Sequence, residues 1–190
     1  MVKIAAVCSD FPGSLEPSHG FGLLINDVLL FDSCSREAAS AFLSRYPSRP
    51  LLGVAGVPGS SHHAGGFDLF NVPVVKPSGD LRLRVRGVEY SLFWERWESV
   101  LYVDNVLITP CGLYTLPNHK LSRRGLKARC VVGGLGGTAI NPYVQHRVVA
   151  ELRLLGARCL VVTHTAPQFV KELERKFNVF KIGAGSVVEI

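Results

Sequence analysis

No stretch of this sequence approaches the roughly 18 uninterrupted apolar residues of a membrane helix, so no membrane partner is expected. The opening Met1-Val2-Lys3-Ile4 runs straight into a strand-like stretch and lacks the layout of a signal peptide. Cysteine is sparse and uneven. Cys8, Cys34, Cys111, Cys130 and Cys159 are scattered, odd in number and never spaced as CxxC. That pattern argues against a zinc knuckle or a disulfide framework and favours reduced thiols in a cytoplasmic protein. A single Met and only two Gln (Gln145 and Gln168) hint at a heat-adapted, thermophilic source. Charge is also low, at 19% against 47% hydrophobic residues, which excludes a disordered chain.

What is present fits one domain spanning residues 1–190, long enough to bury a core without disulfides or a structural metal. Nineteen glycines and eleven prolines imply many tight turns, which suit short strands. Val2 to Val7 reads as a strand. Phe21 to Ile25 and Val28 to Phe31 read as a hairpin closed by Asn26-Asp27. Ser35 to Tyr46 has a helical face of Ala38, Phe42 and Tyr46 and stops at Pro47. Leu51 to Val54 is a buried strand, and a turn-rich loop is expected over 56–66. Leu81 to Arg86 alternates strictly, which sends its arginines to solvent. Val88 to Trp94, Val100 to Thr109 (with a turn at Asp104-Asn105) and Cys130 to Val132 continue as strands. Asn141-Pro142 then opens a helix with Val144, Val148, Leu152 and Leu155 on one face, and Gly156 stops it. A strand at Cys159 to Val162, a helix at Thr165 to Phe177 and a strand at Ser186 to Ile190 complete the chain. Two β-rich stretches, each followed by helices, predict a pair of sheets faced by helices.

Two features carry chemistry. Lys120, Arg123, Arg124, Lys127 and Arg129 form an acid-free basic cluster. It is either a solvated loop or a surface for a phosphate, a nucleic acid backbone or an acidic substrate. The second is Ser60-Ser-His-His-Ala-Gly-Gly66, where adjacent histidines on a loop can turn towards one ion. His164 is a third candidate ligand, placed just past an apolar strand, where α/β folds build their sites. A histidine packing at a strand end is the alternative.

The order of motifs along the chain resembles a known family. It runs through Ser18-His-Gly-Phe-Gly-Leu-Leu-Ile25, Leu29-Leu-Phe-Asp-Ser33, His62-His-Ala-Gly-Gly66, Val131-Val-Gly-Gly134, Thr163-His-Thr165 and Gly183-Ala-Gly185-Ser-Val-Val188. This order is similar to the metallo-β-lactamase fold, most closely to the branch containing dihydropterin ribofuranosylaminobenzene phosphate synthase. The resemblance implies an α/β protein, an αββα four-layer sandwich of two mixed sheets flanked by helices. Aligned on Gly65-Gly66, the family's His-x-His-x-Asp-His ligands become Pro58, Ser60, His62 and His63. A later family histidine becomes Leu113, beside Cys111, and that of the Gly-Gly-Phe-His stretch becomes Gly136. One of the two family metal sites is therefore lost, while the second retains three imidazoles at His62, His63 and His164.

Three readings stay open. The chain is a metal-dependent hydrolase or related transferase on an anionic or phosphorylated substrate, with one Zn or Mn ion at His62, His63 and His164. Alternatively it is a metal-free, catalytically inactive scaffold that binds a ligand or nucleic acid, or pairs with another subunit as a homo-oligomer or with an active relative. In the third, His62 points away and the site takes a new ligand without metal. His19, Lys120, Arg123 and Arg124 are the candidate substrate-binding residues. Asp32 ends a strand and is expected to fix a loop by hydrogen bonds.

Overall fold

The first hairpin shows how local chemistry sets the architecture. Asn26 and Asp27 both take up left-handed backbone, φ 53° and 58°, a conformation these two residues tolerate and a tight hairpin turn demands. The turn pairs β2 (Leu23–Ile25) with β3 (Leu29–Phe31) antiparallel, and β1 (Lys3–Ala6) lies antiparallel on the other side of β2. The computed structural model describes residues 1–9, 20–95, 97–110, 121–136 and 142–190, apart from the side chains of residues 135, 136 and 164. β4 (Leu52–Val54) and β5 (Val74–Val75) extend this sheet in parallel beyond β3.

The second sheet begins with the antiparallel run β6 (Leu81–Val85), β7 (Val88–Glu95), β8 (Glu98–Val103) and β9 (Val106–Thr109). It continues in parallel through β10 (Cys130–Gly136), β11 (Cys159–Thr165) and β12 (Asn178–Lys181). β13 (Val187–Glu189) returns to pair with β1, giving orders β13-β1-β2-β3-β4-β5 and β12-β11-β10-β9-β8-β7-β6.

Alternation along these strands builds three apolar layers. Leu23, Ile25, Leu29 and Phe31 meet Tyr90, Leu92, Leu101 and Ile108 between the sheets. Leu24 and Leu30 face the opposite way, against Ala38 and Phe42 of α1 (Arg36–Arg45). Val131, Leu160 and Val162 pack against Val148, Leu152 and Phe169 of α4 (Pro142–Leu155) and α5 (Pro167–Glu174). Each fully buried Leu or Ile contributes about 1.5–3 kcal/mol of transfer free energy. Two mixed sheets with helices on both outer faces are the expected αββα sandwich.

Three local expectations need correction. The 56–66 segment is not all loop, because α2 (Ser61–Ala64) forms a short helical turn within it, and a second, α3 (Phe67–Phe70), follows directly after. α5 starts at Pro167, after β11 has run on to Thr165, and stops at Glu174 so that β12 can form. Cys8 and Cys34 are joined in a disulfide, which overturns the expectation of reduced thiols throughout. They lie 26 residues apart in sequence, but β1 and β3 flank β2 in the same direction. The carboxyl ends of β1 and β3 therefore arrive on the same side of the sheet, where the Cα atoms of Cys8 and Cys34 lie 6.2 Å apart.

Candidate metal centre

β3 runs parallel to β4 in one sheet, as β9, β10 and β11 do to one another in the other, and their carboxyl ends gather at one edge of the sandwich. Hydrogen bonds tie the two sheets together there. Ser99 N–H donates to Gly56 O (2.8 Å), and Ser9 Oγ lies 2.7 Å from Thr163 O and 2.8 Å from Ile182 O.

Asp32 is the hub of this edge. Its side chain is fully buried and its backbone is left-handed, φ 53°. One carboxylate oxygen accepts from Gly56 N–H (2.7 Å) and Val57 N–H (3.2 Å), which fixes the loop leaving β4. The other lies 2.9 Å from His63 Nδ1. Asp32 thus does hold a loop by hydrogen bonds, and it orients an imidazole as well. Glycine at 56 is required by this packing, since a Cβ there would press on the Phe31 ring and Asp32 Oδ2. Burial pushes the Asp32 carboxyl above its usual range, against the opposing pull of His63 and the Val57 and Gly56 N–H groups.

His63 is 6% exposed. Its ring lies 6.1 Å from that of Phe21, and its carbonyl accepts from Ser33 N–H at 2.6 Å. His62, its neighbour on the same helical turn, is exposed to solvent. Successive residues on a helix diverge by about 100°, so the two rings leave the backbone in different directions. The backbone of His164 sits in β11 opposite Gly134, at the same edge of the sandwich. Its side chain, and the whole of His19 and Lys120, lie outside the described residues. Among the described residues no three His, Cys, Asp or Glu side chains converge as an ion requires.

Glu98 was not anticipated from sequence. It opens β8 at 2% exposure, and burial together with the Asp32 charge pushes its carboxyl up to about 8. A glutamate in the charged stretch Glu95-Arg-Trp-Glu98 reads as a solvent-facing turn, and only the register of β8 shows otherwise. Among the described residues, the buried hydroxyls of Ser99, Thr109 and Thr163 have no hydrogen-bond partner; they sit at the start of β8 and the ends of β9 and β11.

Arg123 and Arg124 lie on an exposed 3-10 turn over residues 121–124. Arg124 donates to Asp80 at 2.8 Å and lies over the Phe93 ring, 5.7 Å from its centroid. These contacts hold it near the β6 edge, on the helix-covered outer face to which Phe93 belongs. No described contact joins either arginine to His63.

No family model and no curated protein matches the sequence. Solved structures do match. Tm1679, a metal-dependent hydrolase of the β-lactamase superfamily, superposes with a TM-score of 0.77 at 17% identity, covering 100% of this chain and 99% of its own. The metallo-β-lactamase fold protein YhfI from Bacillus subtilis gives 0.70 at 12% identity, with 100% of both chains covered. The fold is the metallo-β-lactamase fold. A diphosphatase of the PhnP family agrees, with a TM-score of 0.70 at 10% identity over 100% of this chain and 98% of that one. The Asp32–His63 pair stands beside the segment 58–63, where the motif resemblance expects the family's ligands.

Proposed function

We propose that this chain is a metal-dependent hydrolase with a reduced, mononuclear centre, acting on an anionic, phosphate-bearing substrate. His63 would hold one zinc or manganese ion, with His62 and His164 as the other ligands. The observation that carries this reading is the 2.9 Å contact between His63 Nδ1 and the buried carboxylate of Asp32. A ligating imidazole is ordinarily fixed in this way, its second nitrogen donating to a carboxylate that sets tautomer and orientation. When bound, a divalent ion supplies Lewis acidity towards a phosphoryl or carbonyl oxygen. The unpartnered hydroxyls of Ser99, Thr109 and Thr163 support a polar occupant at the same edge. Lys120, Arg123 and Arg124 supply attraction for an anion over a longer range. The metal-dependence of Tm1679 and the diphosphatase activity of the PhnP-family protein support the reaction class. The motif order also resembles the synthase branch, with Pro58, Ser60 and Leu113 where that resemblance places its first-site ligands.

A second reading is favoured by the exposure of His62 and by Pro58 and Ser60 at ligand positions. On that reading the fold is a catalytically silent scaffold for an anionic ligand or nucleic acid. Metal analysis after dialysis against zinc or manganese and removal of free ion separates the two. About one ion per chain, lost when His63 and His164 are both changed to Ala, is the expected result. A wild-type protein that retains no ion would overturn the hydrolase reading in favour of the scaffold.

A further inference from the structure

Cys130 and Cys159 belong to no site described above, yet the fold sets them side by side. They are directly paired residues at the starts of the parallel strands β10 and β11, at the opposite end of those strands from Gly134 and His164. Directly opposed residues on neighbouring strands lie about 5 Å apart, inside the roughly 4.4–6.8 Å range of Cα separations that a disulfide spans. The two Sγ atoms are 2.6 Å apart, only about 0.5 Å beyond the bonded distance. Closing that gap asks for a small side-chain rotation and no movement of the sheet.

We infer that Cys130 and Cys159 are the site of a second disulfide, formed by exchange with a low-molecular-weight disulfide and cross-linking the neighbouring strands β10 and β11 of the seven-stranded sheet. The order of events follows from accessibility. Cys130 is fully buried, whereas Cys159 is part-exposed and meets the oxidant first. The hydrogen bond from Cys130, with the Arg129 charge nearby, holds the Cys159 thiol below its usual range and favours the attacking thiolate. Cys159 Sγ attacks one sulfur of the oxidant to form a mixed disulfide and release one thiol. Cys130 Sγ then attacks Cys159 Sγ and releases the second. Two protein thiols lose two electrons to the oxidant, and their two protons end on the two released thiols. With Cys8–Cys34, each sheet then carries one covalent tie, and Cys111 is left as the single thiol among five cysteines. Neither cysteine takes part in the His63 centre, so the cross-link can form whether or not an ion binds there.

The test uses wild-type protein equilibrated with oxidised glutathione, denatured in the presence of an alkylating agent and weighed intact, then digested for peptide mapping. One alkyl group per chain, on Cys111, with a cross-linked peptide containing Cys130 and Cys159, is the expected result. Alkylation of Cys130 and Cys159, giving three labels per chain, would overturn the inference. So would a stable glutathione adduct on Cys159 with Cys130 alkylated.

Discussion

Replacing Glu98 with Gln is expected to stabilise the protein at neutral pH and to flatten its stability against pH. The side chain is buried beside Asp32, and its carboxyl is pushed from an ordinary value of 4.5 up to about 8. At pH 7 the folded protein therefore keeps a proton on Glu98 that the unfolded chain has released. Because the folded value is the higher one, the unfolded chain binds fewer protons between the two values, and stability falls as pH rises through that window. The contribution of Glu98 is fully present below about 4.5 and lost as pH climbs through about 8. At pH 7 the unfolded carboxyl is about 2.5 pH units past its own value, which at about 1.4 kcal/mol per unit costs about 3 kcal/mol. In a domain of this size that corresponds to roughly 6–12 °C in Tm. Gln keeps the shape and hydrogen-bonding capacity of the neutral acid and has no proton to lose. Urea unfolding of chelator-treated wild type and Glu98→Gln from pH 5 to 9 measures the effect. The gap between the two is expected to be under about 1 kcal/mol at pH 5, near 3 at pH 7, and level above pH 8. Parallel curves across the range would refute the burial of Glu98 as an acid.

Two further substitutions probe the scaffold that holds this edge together. Gly133 has φ +123°, and a Cβ there would collide with Thr109 O and the Phe21 ring, so Gly133→Ala is expected to cost about 3 kcal/mol or more in urea unfolding. An unchanged midpoint would mean that β9 and β10 do not approach as described. Opening the Cys8–Cys34 bond with Cys34→Ser removes a loop constraint over 26 residues, worth about 3 kcal/mol by chain entropy. A variant as stable as wild type would show that the bond adds nothing to the native state.

Much of the fold is legible in the residues because its signals are local. Asn26-Asp27 turns the first hairpin by its own backbone preference. The alternation Leu81-Arg-Leu-Arg-Val-Arg86 does place leucines inward, with Arg82 and Arg84 outward. The face Val148, Leu152 and Leu155 marks α4. The site is less legible, because its elements are too short for periodicity to speak. α2 is a single turn of four residues, and whether His62 and His63 share a direction depends entirely on that turn forming. Glu98 carries no signal of burial, since the packing that buries it and the Asp32 charge beside it come from distant parts of the chain. The cysteine pairs were hidden for the same reason. Cys8 meets Cys34, and Cys130 meets Cys159, through strand register, which spacing in sequence does not encode.

Open sheets leave ends, and two sheets leave four. Each end is a row of unsatisfied backbone groups that could recruit a strand from another molecule. Here β5 and β13 are only two and three residues long, too short to template a growing ribbon. β6, the longest of the four edge strands, carries Arg82 and Arg84 on its outward face. Two copies laid edge to edge along β6 would set guanidinium groups close against guanidinium groups, an arrangement that like-charge repulsion disfavours. Those arginines, which serve no part of the His63 centre, make the β6 edge a poor template for a second copy of the chain.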